Sequence, residues 1–165
     1  MRSIIGSLVL ITALTGCSSD SSDGNDNGSR ALHAAMAPLP GGGTISGTAD
    51  VQWTVGDAQF TASAQITGDV VGAVRPWHVH FGSCATGGDI VGPAGSYTPM
   101  TVGGDGAAAS TALVDFELDA SAPYHVNVHE SQTALTTLIA CGNLTSIGSM
   151  PSGGGGGDDT GGGDY

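Results

Sequence analysis

Hydrophobic and polar residues alternate through much of the middle of the chain, with a period of two. The clearest run covers 44–55, where Val51 and Trp53 are among the apolar residues that alternate with polar ones. A period of two is typical of a strand with one buried face, whereas an amphipathic helix has a period of 3.6 residues. Gly56-Asp57 interrupts the alternation, which resumes over 59–67, so we predict a β-hairpin here.

Short strands of the same kind are predicted further along the chain. The Gly-rich turn Gly104-Asp105-Gly106 precedes one of them, and no segment of the central region shows a helical period. Regularly spaced short strands separated by Gly-rich turns indicate an all-β fold, either an antiparallel sandwich or a barrel. These further strands are predicted over 77–81, 108–118, 124–129 and 138–144.

The first residues of the chain are typical of an export signal. Arg2 precedes an apolar run that is too short to span a bilayer. Leu14-Thr15-Gly16-Cys17 then resembles a bacterial lipobox, whose cysteine becomes the lipidated first residue of the mature protein. We therefore expect residues 1–16 to be a lipoprotein signal peptide and Cys17 to anchor the chain in the bacterial cell envelope. Ser18, in place of an aspartate, favours the outer membrane.

Two polar segments flank the region of predicted strands. Residues 17–43 are rich in Ser, Asp, Gly and Asn, a composition that predicts a flexible tether. Residues 148–165 are rich in Gly and Asp and are predicted to be a disordered tail, because such a segment cannot bury a core. The folded domain is therefore expected to cover 44–147.

Charge and cysteine content narrow the possible functions. The chain of 165 residues has 29 Gly, three Arg and no Lys, and its formal net charge is −12. This charge excludes a nucleic-acid-binding protein and a protein that binds membranes through a polybasic surface. We therefore expect membrane contact only through the lipid anchor. In an exported protein the two remaining cysteines, Cys84 and Cys141, can form a disulfide. Closing so long a loop would stabilise the fold by about 4 kcal/mol.

Four of the five histidines fall in two pairs. His78 and His80 would point to one face of a strand, about 6.6 Å apart at the backbone. His125 and His129 would also share a face, but lie about 13 Å apart, too far for both to bind one ion easily. If the two strands pair, the site would consist of His78, His80 and one of the other two. Three imidazoles with an open position suit copper or zinc.

Five short motifs resemble, in order, those of the copper/zinc superoxide dismutases. The first resembles the copper-binding strand of that family, and the resemblance as a whole extends over about 44–146. The motifs are Arg75-Pro76-Trp77-His78-Val79-His80-Phe81-Gly82, Cys84 with Gly92-Pro93, Gly104-Asp105-Gly106-Ala107, Val128-His129-Glu130 and Ala140-Cys141-Gly142.

The resemblance implies a Greek-key β-barrel of about eight antiparallel strands with a copper site. The implied copper ligands are His78, His80 and His129, and the implied disulfide joins Cys84 to Cys141. The remaining histidine of the two pairs, His125, would then support the ligands from outside, lie at the surface, or serve as an alternative ligand.

The departures from the family pattern concern catalysis. The family has a bridging His after its Gly-Pro, but here Ala94 follows, and the zinc ligands are also missing, so we predict no zinc. The segment between His129 and Cys141 is shorter than the family's electrostatic loop. Leu138 stands where the family has the Arg that attracts superoxide, although Arg75 lies beside the copper strand and could compensate. Fast dismutation is therefore not expected, and no catalytic residue is assigned.

Three functions fit these observations. The first is a copper-binding, superoxide dismutase-like envelope lipoprotein that dismutates superoxide slowly. The second is a non-catalytic protein that holds or handles copper, and the third is a metal-free β-sandwich that serves as an interaction module. The expected small partners are superoxide or a copper ion, and the sequence assigns no oligomeric state.

Overall fold

The computed structural model describes residues 28–149. Over this range the chain is built mainly from strands, with turns and one 3₁₀ turn at Ala94–Ser96 between them. The strands are β1 (Ser29–Pro38), β2 (Ser46–Thr54), β3 (Gln59–Thr67), β4 (Val74–Arg75), β5 (Trp77–Phe81), β6 (Met100–Thr101), β7 (Ala108–Asp115), β8 (Tyr124–Ser131), β9 (Ala134–Asn143) and β10 (Thr145–Ser149).

Most strands belong to one curled antiparallel sheet. Its order is β5-β8-β9-β1-β2-β3-β7, and β10 pairs with β1 beside this path. The short strands β4 and β6 form a separate ribbon, which contacts β8 through β4 and β7 through β6. The ribbon therefore lies between the two ends of the curled sheet. The result is a half-barrel of about eight strands, which confirms the predicted all-β, antiparallel fold class.

A single hydrophobic core fills the inside of the curled sheet. Alternate residues of β2, β3 and β7 point into it. Among them are Val51, Phe60 and Val114, which are each at most 1% exposed. From the other side β5 contributes Trp77 and β8 contributes Val126, both fully buried. Burying a side chain of this size stabilises the fold by about 1.5–3 kcal/mol. The core therefore fixes β5 and β8 firmly against the rest of the sheet.

The prediction of a flexible tether over 17–43 is wrong for the second part of that range, because β1 lies at Ser29–Pro38. This strand is rich in Ala and contains no β-branched residue, so its own β-propensity is low. It forms because β2 supplies hydrogen-bonding partners on one side while β9 and β10 supply them on the other. The described strands thus extend from Ser29 to Ser149, beyond the predicted bounds of 44 and 147.

The other predicted strands lie close to those observed. The ranges 59–67 and 77–81 coincide with β3 and β5, while β9 begins at Ala134, four residues before its predicted start. The signal peptide, the lipidated Cys17 and the rest of the predicted tail lie outside the described residues. Within 28–149, no helix is long and apolar enough to cross a membrane.

Candidate metal centre

The histidines of the site project from the face of β5 and β8 opposite the hydrophobic core. Alternate side chains of a strand point to opposite faces, so burying Trp77 and Val79 in the core turns His78 and His80 the other way. The antiparallel register pairs His80 with His125, which places a further imidazole of β8 on this outer face. Two pairs of histidines are thereby concentrated on one small area of sheet.

This histidine face is buried as well. His78, His80 and His129 are each between 5% and 8% exposed. The segment after β5 covers the face: the Nδ1–H of His80 donates a hydrogen bond of 2.9 Å to the carbonyl oxygen of Gly88. The site is therefore an interior one, although it lies outside the main core.

A disulfide fastens this covering segment to the sheet. Cys84 and Cys141, the predicted pair, are joined with their Cα atoms 5.9 Å apart. The backbone N–H of Cys84 also donates a hydrogen bond of 2.8 Å to the side-chain oxygen of Asn143 in β9. Two links to the same strand hold the segment in place over the histidines.

Three of the four paired histidines come together as a group that could hold a metal ion. One ring nitrogen from each of His78, His80 and His129 lies within 4.8 Å of the others. Nδ1 of His78 is 3.0 Å from Nε2 of His129. Nε2 of His80 is buried and has no hydrogen-bond partner among the described residues. Since its Nδ1 carries the proton bonded to Gly88, this Nε2 presents a lone pair, as a metal ligand requires.

An irregularity in the pairing of β8 with β9 positions the third histidine. The register shifts on both sides of His129, between Val128 and Ser131. Such a bulge redirects a side chain from the path of the regular pleat. The backbone N–H of His129 donates to the carbonyl oxygen of Pro76, at 2.9 Å, which ties it to the residue before β5.

His125 lies beside this group without belonging to it. Its ring is fully buried and stacks on the ring of His80, with centroids 5.3 Å apart and planes at 28°. The side-chain amide of Asn127 donates to Nε2 of His125 at 3.2 Å. Of the alternatives that the sequence left open, the structure places His125 in contact with a candidate ligand, away from the surface.

Burial favours the neutral form of His78, His125 and His129. Together with the neighbouring His129 and His80, where a second positive charge close by is unfavourable, burial lowers the pKa of His78 to about 4. Burial also lowers the pKa of His129 and of His125. Neutral imidazole is the form that binds a metal, so the lowered pKa values of His78 and His129 favour metal binding at neutral pH.

Arg75 does not reach the histidines. Its Nε donates to Asp69 at 2.6 Å, one terminal nitrogen donates to the same carboxylate at 2.7 Å, and the other donates to the carbonyl oxygen of Glu130. This ion pair lowers the pKa of Asp69 and raises that of Arg75. The arginine that the sequence suggested as a substitute for the missing anion-attracting residue is thus held by Asp69.

The sequence analysis missed two residues that shape the site. Gly88 acts through its backbone carbonyl, which no side-chain pattern can reveal. Tyr97 packs edge-on against both His78 and Trp77, with ring centroids 5.3 Å apart in each case, and its hydroxyl donates to the carbonyl oxygen of Val91 at 2.8 Å. As the only aromatic residue of the segment 82–99, it offered a signal that could have been used.

We predict that the metal-free protein becomes less stable as the pH falls from 6.5 towards 4. In this window the unfolded chain protonates its histidines, whereas His78 stays neutral in the folded protein because its pKa is about 4. Each such group contributes a slope of up to about 1.4 kcal/mol per pH unit. Urea unfolding at a series of pH values measures the slope, and a free energy of unfolding that is constant from pH 6.5 to 5 would contradict the prediction.

We also predict that Gly88→Ala weakens metal binding by about 10–100-fold, the usual effect of losing a hydrogen bond to a liganding histidine. A Cβ at this position would lie 2.1 Å from the carbonyl oxygen of Phe81, so the covering segment would have to shift away from His80. Gly95→Ala is the matched control, because its Cβ would meet nothing within 4 Å. Titration with Cu²⁺ measures both affinities, and equal values for the two variants would show that the carbonyl of Gly88 does not matter.

No family model matches this chain, and no curated protein shows significant sequence similarity to it. The chain is therefore described by its own structure, an antiparallel half-barrel that carries a buried group of three histidines.

Proposed function

We propose that this chain is a copper-binding, superoxide dismutase-like lipoprotein of the bacterial cell envelope that consumes superoxide slowly. The observation that carries the proposal is the group of His78, His80 and His129, with one ring nitrogen of each within 4.8 Å of the others. The five motifs of the sequence analysis and the antiparallel half-barrel support the same proposal.

The donor atoms fit copper. All three candidate ligands are imidazoles, and carboxylates, which magnesium and calcium prefer, are absent from the group found among residues 28–149. Nε2 of His80 is the most telling atom, because a buried ring nitrogen without a partner is unfavourable until it binds something. Copper bound here would supply one-electron redox chemistry.

The surrounding residues account for slow turnover. The family's bridging histidine has no counterpart after Pro93, so no side chain is assigned to deliver protons to the reduced product. His78 lines an open pocket, through which water can reach the site and supply those protons. The carbonyl of Gly88 holds the ring of His80 in one tautomer, and the side chains of all three candidate ligands are largely buried.

Electrostatics also disfavour a fast reaction with superoxide. The formal net charge of the chain is −12, and superoxide is an anion. Arg75, the basic residue next to β5, is bonded to Asp69 and to the backbone of Glu130. Attraction of substrates by a charged cleft raises association rates by about 10–10³-fold in other proteins, and here that contribution would be absent or reversed.

A copper-holding protein without turnover is the second candidate function. The engagement of Arg75 by Asp69 favours it, because it removes the remaining means of attracting an anion towards the histidines. A copper-loaded protein that binds one ion per chain but consumes no superoxide above the background of free buffer would establish this second function. Absence of copper binding would instead favour the metal-free interaction module.

We expect the wild-type chain to retain one copper ion after loading and gel filtration. His80→Ala and His129→Ala each remove one of three ligands and are expected to retain less than about a tenth as much under the same conditions. His33→Ala is the matched control, since His33 pairs with Asp50 on β1 and β2 and belongs to no ligand group. Elemental analysis measures the copper, and equal retention in all four proteins would disprove the site.

We expect superoxide consumption by the copper-loaded protein to rise with ionic strength. Salt screens the repulsion between a chain of net charge −12 and the superoxide anion, whereas an attractive site would become slower. Pulse-radiolysis rates between about 10 and 150 mM salt give the sign of the dependence. A rate that falls over this range would contradict the prediction and show that a cation near the site attracts superoxide.

A further inference from the structure

An open pocket of about 420 Å³ leads to one of the candidate ligands. It lies between the segment around the 3₁₀ turn, on one side, and the turn that joins β8 to β9, on the other. Its apolar walls include Pro76, Ala94, Pro99 and Leu135, and the ring of His78 lines it as well. We call it the His78 pocket.

The His78 pocket has no charged side chain in its lining. The described part of the chain contains two basic residues, Arg30 and Arg75, and neither reaches it: Arg75 is bonded to Asp69, and Arg30 lines other pockets. An anion that entered would lose water without gaining an ion partner, which is unfavourable. The electrostatics therefore select an uncharged ligand.

Size and polarity narrow the ligand class further. The volume lies within the range of about 300–1,000 Å³ that is typical of small-molecule sites, which are mostly apolar with a few polar groups. The polar residues of the lining are His78, Tyr97, Thr98 and Gln132, and the hydroxyl of Tyr97 is already bonded to Val91. The two prolines and Leu135 offer an apolar surface for a ring, and Leu135 is 48% exposed, as expected of a residue at an open mouth.

We propose that the His78 pocket binds a small uncharged aromatic molecule of the phenol type. Its ring would pack on Pro99 and Leu135, and its hydroxyl would face the polar groups around His78. This inference rests on the proposed function and deepens it, because the ligand would contact His78, one of the three histidines proposed to hold copper. A site of this kind selects its ligand by apolar contact, where an anion-binding site would select by charge.

Phenol and benzoate are the probes that test the ligand class, since both carry one benzene ring but only benzoate is charged at pH 7.5. The full chain without metal is titrated with each, and NMR follows the Leu135 methyl groups and the His78 ring. We expect saturable shifts with phenol, with a dissociation constant of about 1 mM for so small a ligand. Benzoate is expected to bind at least 10-fold more weakly. Equal binding of the two, or no saturable shift with phenol, would overturn the proposal.

Leu135→Arg tests whether the ligand occupies this pocket. The substitution places a cation at the mouth and is expected to weaken phenol binding at least 5-fold while strengthening benzoate binding. Leu113→Arg is the matched control, because Leu113 is a 60% exposed leucine on β7 that does not line the pocket, and it should bind phenol like the wild type. Indistinguishable affinities in the two variants would overturn the proposal.

Copper retention, measured on the same preparations, separates this inference from the proposed function. Phenol binding by a chain that retains no copper would support the His78 pocket and refute the copper function. Copper retention without phenol binding would refute the pocket's ligand and leave the copper function standing.

Discussion

The pairing of β5 with β8 is the contact on which the candidate site depends. It buries both faces of two neighbouring strands: Trp77 and Val126 pack in the core, while His78, His80 and His129 are enclosed on the opposite side. On a sheet face covered in this way, each ring nitrogen that lacks a partner is unfavourable. The carbonyl of Gly88 accepts a hydrogen bond from Nδ1 of His80, and Nε2 of the same ring stays without a partner among the described residues. The strand pairing and the covering segment together therefore create the ligand group.

The same enclosure explains the electrostatic character of the site. The three imidazoles lie close together without a carboxylate in their group, and burial opposes protonation of His78 and of His129. The nearest arginine, Arg75, is occupied by Asp69 and by the backbone next to His129. An arrangement of neutral donors beneath an apolar, uncharged pocket favours binding of a soft or borderline metal over attraction of anions. The same features of the site therefore support both proposals for this chain, a slow enzyme and a copper-holding protein.

Much of the fold could be predicted because alternation is a local property. β3 and β5 coincide with their predicted ranges: the first alternates clearly, and the second is rich in aromatic and β-branched residues. β1 could not be predicted, because its Ala-rich sequence becomes a strand only between β2 and its partners on the other side. The site shows the same division. Spacing identified His78 and His80 as neighbours but left His125 and His129 open; the resemblance implied His129, which the structure groups with the other two.

All three candidate ligands lie on β5 and β8, and none lies on a loop. Strand positions are constrained by register and by the core behind them, whereas loops accept insertions, deletions and substitutions with little effect on stability. Over evolutionary time, a chain built in this way can replace nearly all of its connecting segments and still present the same three rings. Sequence similarity to distant relatives would then fade first in the loops and survive longest in two short strands, which together amount to thirteen residues here.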